Sequence, residues 1–443
     1  MSSDWAMVTI ANIAADEPYA TQIGPFGNKI RAENYTADGV PVLRGVNIAS
    51  GRFNDDNFVF ISEGAADDLA AFQCKPDDVL LVHKGTLGQV GIMPHRLRFN
   101  RYIMGNSMMR VRCNPEKVLP KFLYYWLRSP GGQNYLQSRI SQVGVPQLQR
   151  PLTTLRQAEF RCPSTDEQQA IVNILDALDE KIEANRRSAI AIERLARAIF
   201  RAWFFDFEPV KAKIDGANEF PLVPEEIFSA LPERFVQSDM GPIPNGWALQ
   251  PLSSACSLVS GGTPKRSNPS YWGGDVPWYS VKDVPENGQV WCIRTEESIS
   301  HLGLQNSAAQ IVPRGTTIIS ARGTVGKLAM AGQSMAFNQS CYGLLPIDQS
   351  SYNYLYLLME TTVSELQQRT HGSVFDTITR ATFDAQRVVA PPSGIVHTFD
   401  DLVRPFFDTL FVLARESTKL AELREYLLPR LINGQVRVGV HDG

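Results

Sequence analysis

Residues 164–203 read STDEQQAIVNILDALDEKIEANRRSAIAIERLARAIFRAW. Ser164 and Glu167 have capping-box spacing, in which a hydroxyl accepts an orphan helix N–H and a carboxylate three residues on reaches back. A seam follows at Ile171, Leu175, Leu178, Ile182, Asn185, Ala189, Ile192, Ala196, Ile199 and Trp203. Its spacing alternates four and three without a break, which is a heptad. At 1.5 Å per residue the stretch predicts a helix about 57 Å long. Packing on its own domain alone would leave a seam of that length unexplained. Asn185 is its polar break, a position that fixes register at some cost in stability.

A second seam lies 228 residues on, at Phe399, Val403, Phe406, Leu410, Leu413, Ser417, Leu420, Arg424, Leu427 and Leu431. Thr398 with Asp401 offers a cap, and Pro405 should kink the helix or mark its start. Pro429 and Asn433-Gly434 end it. Two matched seams in one chain pack most simply on each other, and a chain reversal between them makes the pair antiparallel.

The offset belongs to a longer repeat. Trp5-Ala6-Met7 matches Trp247-Ala248-Leu249 at 242, and Val40-Pro41 matches Val276-Pro277 at 236. Lys84-Gly85-Thr86-Leu87-Gly88 matches Arg322-Gly323-Thr324-Val325-Gly326, and Phe99-Asn100 matches Phe337-Asn338, both at 238. A common order with a falling offset is what loop deletions would leave. The chain is two diverged halves.

The fold class is therefore α+β. Two mixed domains, 1–163 and 247–391, alternate with a central helix at 164–210 and a C-terminal helix at 392–435. A Pro-rich, acidic linker fills 211–246, with Phe220, Ile227 and Phe235 needing somewhere to pack. In each domain a β-branched strand (78–82, 316–320) runs through a Gly-Thr-x-Gly turn into a second apolar stretch, which is a hairpin. Helices are expected at 121–128 and 354–369.

Composition is that of an ordinary globular chain, 44% hydrophobic and 20% charged. No apolar run reaches the ~18 residues that span a bilayer, so no membrane role is expected. The first residues lack the pattern of a signal peptide. The six cysteines form no CxxC pair, so neither a metal site nor a disulfide framework is indicated, and a cytoplasmic location follows. Net charge is −3, but residues 1–83 carry 5 Lys/Arg against 12 Asp/Glu and residues 84–161 carry 13 against 2. That basic stretch reads either as a polyanion-binding surface, with Arg98, Arg101, Arg110 and Arg112 on phosphates, or as a face balanced by the acidic stretch before it.

Enzyme motifs fail. Residues 321–328 lack the first glycine and the final Ser/Thr of a P-loop. Asn268-Pro269-Ser270-Tyr271 only approaches an adenine methyltransferase loop, and no glycine-rich cofactor loop accompanies it. There is no HExxH, no G-x-S-x-G and no His/Cys cluster. The chain reads as a binder, with a helical scaffold bridging protein partners as the alternative to a DNA reader.

Val259-Ser260-Gly261-Gly262-Thr263-Pro264, Tyr271-Trp272-Gly273-Gly274-Asp275-Val276-Pro277-Trp278, the Arg322 turn and Phe337-Asn338-Gln339 follow one another in the second half. The central helix ends Phe200-Arg201-Ala202-Trp203-Phe204-Phe205-Asp206-Phe207. Together with the duplication, these resemble the DNA-sequence-specificity subunit of type I restriction-modification enzymes, over nearly the whole chain. The resemblance implies two target-recognition domains, each reading half of a split double-stranded DNA site, with antiparallel helices setting the gap. It implies no catalysis and no cofactor on this chain. Two modification subunits would carry S-adenosylmethionine and methylate adenine. Restriction subunits with ATP and magnesium would translocate and cleave DNA. In the first domain Thr21-Gln22-Ile23-Gly24-Pro25-Phe26-Gly27 replaces the Ser-Gly-Gly-Thr-Pro turn, as expected if the domains read different half-sites.

Candidate DNA contacts follow from residue chemistry. Lys84-Gly85-Thr86 and Arg322-Gly323-Thr324, with Lys327 nearby, join a cation and a hydroxyl to a glycine that permits close approach to phosphate. Asn47 beside Arg44 and Asp283 beside Lys282 could read adenine and cytosine or could form Asx-turns at strand ends. Arg98, Asn100, Arg101, Asn338 and Gln339 are polar groups around a Phe. Gln147, Gln149, Arg150, Thr377 and Arg380 lie in matching loops before the long helices.

Overall fold

The central helix is Thr165–Phe204 and its counterpart is Ser393–Ile432, each 40 residues long and offset by 228 at both ends. The computed structural model describes residues 5–26, 29–141, 144–285, 288–369 and 377–439. It divides into two compact units, Met1–Glu180 with Ala421–Gly443, and Lys181–Leu420.

In the first unit, Ile171, Val172 and Leu175 share a buried cluster with Leu428, Leu431 and Ile432. In the second, Ala189, Ala196, Ile199 and Trp203 are buried with Phe399, Val403, Phe407, Leu410 and Ala414. The start of each helix thus meets the end of the other, which is antiparallel packing. Each such Leu, Ile or Phe contributes about 1.5–3 kcal/mol by leaving water. Asn185 is buried and donates to Glu416 Oε2 at 2.7 Å and to Ser417 Oγ at 3.4 Å, so the polar breaks of the two seams satisfy each other. Leu178 and Ile192 are only half-buried, at the margins of the seam.

The second seam differs from the heptad by a slip. Phe399, Val403, Leu410, Ser417 and Leu431 are buried as expected, but Phe406, Leu413, Leu420 and Leu427 are half-buried while Phe407, Ala414 and Leu428 take the inner positions. An α-helix turns every 3.6 residues and drifts by about 20° per heptad, and apolar neighbours such as Phe406-Phe407 permit either register. The start also differs. Thr398 and Asp401 cap nothing, because the helix begins at Ser393, and Thr398 Oγ1 donates back to Gly394 O at 2.9 Å. Pro405 lies inside the helix. At the start of the central helix half of the capping box forms: Glu167 N donates to Ser164 Oγ at 3.3 Å. The Glu167 carboxylate accepts instead from Trp5 Nε1 at 2.9 Å and Arg437 Nη1 at 2.7 Å.

Both domains use one plan. A two-stranded antiparallel tie, Ala6–Thr9 with Glu159–Cys162 and Ala248–Pro251 with Arg387–Ala390, closes each domain just before its long helix. Among the described residues, a four-stranded sheet in the first unit runs Thr21–Ile23, Met108–Val111, Val79–Val82, Val90–Ile92. Its five-stranded counterpart runs Cys256–Ser260, Cys341–Pro346, Thr317–Ser320, Leu328–Ala331, Trp291–Cys292. Strand Val79–Val82 is buried on both faces. With a period of two, Val79 and Leu81 enter one core while Leu80 and Val82 enter another. Both expected hairpins are present, as are helices Pro120–Arg128 and Tyr352–Arg369.

The small sheets correct one repeat assignment. Val40–Leu43 pairs in parallel with Ile103–Met104, and Trp272–Tyr279 pairs in parallel with Ala336–Phe337. Gly105 N donates to Leu43 O and Asn338 N to Tyr279 O, each at 2.9 Å. Met104-Gly105, not Phe99-Asn100, is therefore the counterpart of Phe337-Asn338. The linker is folded: Glu208–Ile214 and Glu225–Ala230 are helical, and Phe235–Ser238 pairs with Gly241–Pro244. Val223, Phe228 and Leu231 are buried in the core of the second unit. No helix among the described residues is long and apolar enough to cross a membrane.

Candidate nucleic-acid interface

The two Gly-Thr turns have one backbone. Gly85 and Gly88 have φ of +90° and +83°, and Gly323 and Gly326 have +76° and +83°. A side chain on Gly85 or Gly323 would meet nothing within 4 Å, so these glycines are needed for the left-handed backbone and not for space. Lys84, Thr86, Arg322, Thr324 and Lys327 are exposed. Among the described residues no partner is recorded for the ammonium of Lys84 or the guanidinium of Arg322.

Tertiary pairing then brings two groups of sequence candidates together. Lys84 forms an antiparallel bridge with Gln147, and Arg322 forms one with Thr377. Leu148 N donates to His83 O and Ile378 N to Ala321 O, each at 2.9 Å. Gln149, Arg150, Thr379 and Arg380 follow, all exposed. Arg150 adopts φ +43° at the N-cap of helix Pro151–Arg156, and Arg380 begins helix Arg380–Ala385. Each domain therefore presents a cation and a hydroxyl on a glycine turn beside a bridged polar residue and a short helix, a set of donors suited to phosphate and base edges.

The turns are braced by residues the motifs do not reveal. In the first domain Gln133 Nε2 donates to Gly88 O at 3.0 Å and to Leu127 O at 2.8 Å. In the second, Ser320 Oγ donates to Thr324 O at 2.5 Å and accepts from Lys327 N at 2.8 Å. The repeat offset could have flagged Ser320, which stands where the first domain has Val82; nothing local marks Gln133.

Other candidates are placed elsewhere. Asn47 is fully buried: its Oδ1 accepts from Arg44 N at 2.9 Å and its Nδ2 donates to Asp56 O at 2.9 Å and Asn54 O at 3.3 Å. It pins a turn and presents nothing to a base. Asp283 does the same, accepting from Ser280 N at 2.7 Å and Glu296 N at 2.6 Å. Arg44 is half-buried and donates to Asn57 O at 2.7 Å, while Lys282 is exposed and pairs with Glu296 at 3.4 Å. Asn338 Oδ1 accepts from Ser340 N at 3.1 Å. Gln339 is exposed and meets Thr263, joining the Ser-Gly-Gly-Thr-Pro turn to Phe-Asn-Gln. Arg98 and Asn100 are exposed on a separate loop, where Arg98 lies 5.2 Å from the Phe99 ring.

Three arginines of the basic stretch are paired with the acidic one. Arg101 pairs with Glu63 at 3.0 Å and Asp67 at 2.8 Å. Arg112 pairs with Asp78 at 2.7 Å and with Glu17. Arg110 is 1% exposed, 3.8 Å from Asp78, and donates to Tyr19 O at 2.7 Å, Ala71 O at 3.2 Å and Gln73 O. Three of the four arginines expected on phosphates therefore hold the domain together. His83, just before Lys84, is buried and bonds Asn106 O at 3.1 Å. Burial pushes its imidazole below the usual value, partly offset by that bond. Its Nδ1 has no hydrogen-bond partner among the described residues.

This architecture, two copies of a mixed recognition domain alternating with long helices, is that of a DNA specificity subunit. Residues 21–194 and 244–410 match the type I restriction modification DNA specificity domain, and the chain belongs to that family. It is 25% identical to the Type I restriction enzyme HindI specificity subunit of Haemophilus influenzae, over 86% of this chain and 94% of the relative. It is 24% identical to the MjaIX specificity subunit of Methanocaldococcus jannaschii, over 86% and 84%. The crystal structure of the S subunit of a type I restriction-modification system from M. genitalium shares the fold, with TM-score 0.53 and 17% identity over 97% of this chain and 96% of that one.

Proposed function

We propose that this chain is the non-catalytic sequence reader of a type I restriction-modification complex, each domain binding one half of a bipartite double-stranded DNA target. The observation that carries the reading is the repeated turn, in which a cation just before a left-handed glycine bridges to a polar residue, Gln147 or Thr377, in both domains. Gln147, Arg150 and Lys84 serve the first half-site. Thr377, Arg380, Arg322, Thr324, Lys327 and Gln339 serve the second. Two modification subunits supply S-adenosylmethionine, and restriction subunits supply ATP and magnesium. The chain's own part is to hold DNA and to seat its partners. Adenine methylation should be mapped on plasmid DNA exposed to the chain with and without its modification subunit. The reading expects methylation at a split, asymmetric site only when both are present. Methylation by the chain alone, or at unrelated sites, would refute it.

A further inference from the structure

The helix Pro120–Arg128 carries Phe122-Leu123-Tyr124-Tyr125-Trp126-Leu127-Arg128, and the helix Tyr352–Arg369 carries Tyr354-Leu355-Tyr356-Leu357-Leu358-Met359-Glu360. The two align at an offset of 232, Tyr on Tyr at 124 and 356, and end on opposite charges, Arg128 and Glu360. In each unit this helix packs on the long helices.

The charges it meets are reversed as well. In the first unit Arg128 Nη1 lies 3.4 Å from Asp179 Oδ2 of the central helix, and Arg424 of the C-terminal helix takes the other carboxylate oxygen. The order is plus, minus, plus. In the second unit Glu360 Oε1 lies 3.2 Å from Arg197 Nη1, and Arg197 Nη2 lies 2.7 Å from Glu193 Oε1. The order is minus, plus, minus. Five of the six side chains are 25% exposed or less and Arg197 is 43% exposed, so water screens these pairs only in part.

A duplicated chain has a recognition problem. Apolar packing is non-directional, and the two seats share a helix pair of equal length and an aromatic-rich docking helix. Either domain would bury apolar surface on either seat. Charge separates them: Arg128 on the second seat would face Arg197, and Glu360 on the first would face Asp179. Half-buried like charges raise the free energy of the wrong pairing while the right one is satisfied. We propose that these triads key each recognition domain to its own seat on the helices, within one chain and between copies. This holds whether or not the domains read DNA.

The test uses full-length chains. Glu360→Arg and Arg197→Glu should each lower the melting temperature by about 2–4 °C or more. Their combination should recover at least half of the summed loss. A double variant melting no higher than the worse single variant would overturn the proposal. A second pair of chains carries residues 247–391 copied in place of residues 5–163, so that the copied glutamate faces Asp179. There Glu360→Arg in the copy should raise the melting temperature, the opposite of its effect in the native position. The same sign at both seats would show that the seats do not discriminate.

Discussion

The Lys84 turn and the Arg322 turn are alike in backbone and unlike in support. Both place a cation before two left-handed glycines and bridge to a polar residue, Gln147 or Thr377. Yet the first is braced from outside by Gln133, and the second from within by Ser320. His83 lies buried beneath the first where Ala321 lies beneath the second. The glycine pattern is what the turn needs; the supports show that one backbone can be held by different side chains, leaving the neighbouring surfaces free to differ between half-sites.

The largest expected effect concerns the helices common to both halves. Ile182 and its counterpart Leu410 are 5% and 2% exposed. Ile182→Asp or Leu410→Asp should cost at least the ~2–5 kcal/mol of a truncation to alanine, plus the desolvation of the carboxylate. Denaturant melts would read this, and a loss confined to one substitution would break the equivalence of the halves. Next, Arg110→Met should destabilise by about 1–3 kcal/mol, because it leaves buried carbonyls without donors. The dependence of DNA affinity on salt should stay unchanged; a shallower salt slope would place Arg110 on phosphate after all.

Lys84→Ala and Arg322→Ala should each weaken binding of the assembled complex to all sequences and reduce the salt slope by about one unit, with little change in melting. If only one of them does so, the two turns do different work. The smallest effect separates the supports by pH. Burial lowers the pKa of His83 in the folded chain, so the unfolded chain takes up a proton first as pH falls below the ordinary value of 6.5. Stability contributed there is fully present above that value and declines as pH falls through it. His83→Ala should flatten melting temperature against pH in this range, and an unchanged profile would remove His83 from the comparison.

Local pattern carried much of this reading. The length of the central helix, the 228-residue offset and both hairpins follow from periodicity and glycine spacing, because backbone hydrogen bonding and side-chain period act over a few residues. The candidate site was legible in part: the two turns and the two loops were visible as separate motifs, but not that one bridges the other. Asn47 was ambiguous because the same amide can cap a turn or read a base, and only burial separates the two.

By itself the sequence determined that this protein is a duplicated α+β chain with two heptad helices and a cationic glycine turn in each half. The tertiary structure alone decided that Met104-Gly105 replaces Phe99-Asn100 in the repeat, since strand register depends on a distant partner. It also decided that the second seam runs through Phe407 and not Phe406. Above all, it turned part of the basic stretch inward: Arg101, Arg110 and Arg112 meet Glu63, Asp67, Asp78 and Glu17, residues 32 to 95 positions away in the chain. A charge count sums what the chain carries, whereas Coulomb attraction and desolvation depend on which charges folding brings within a few ångströms.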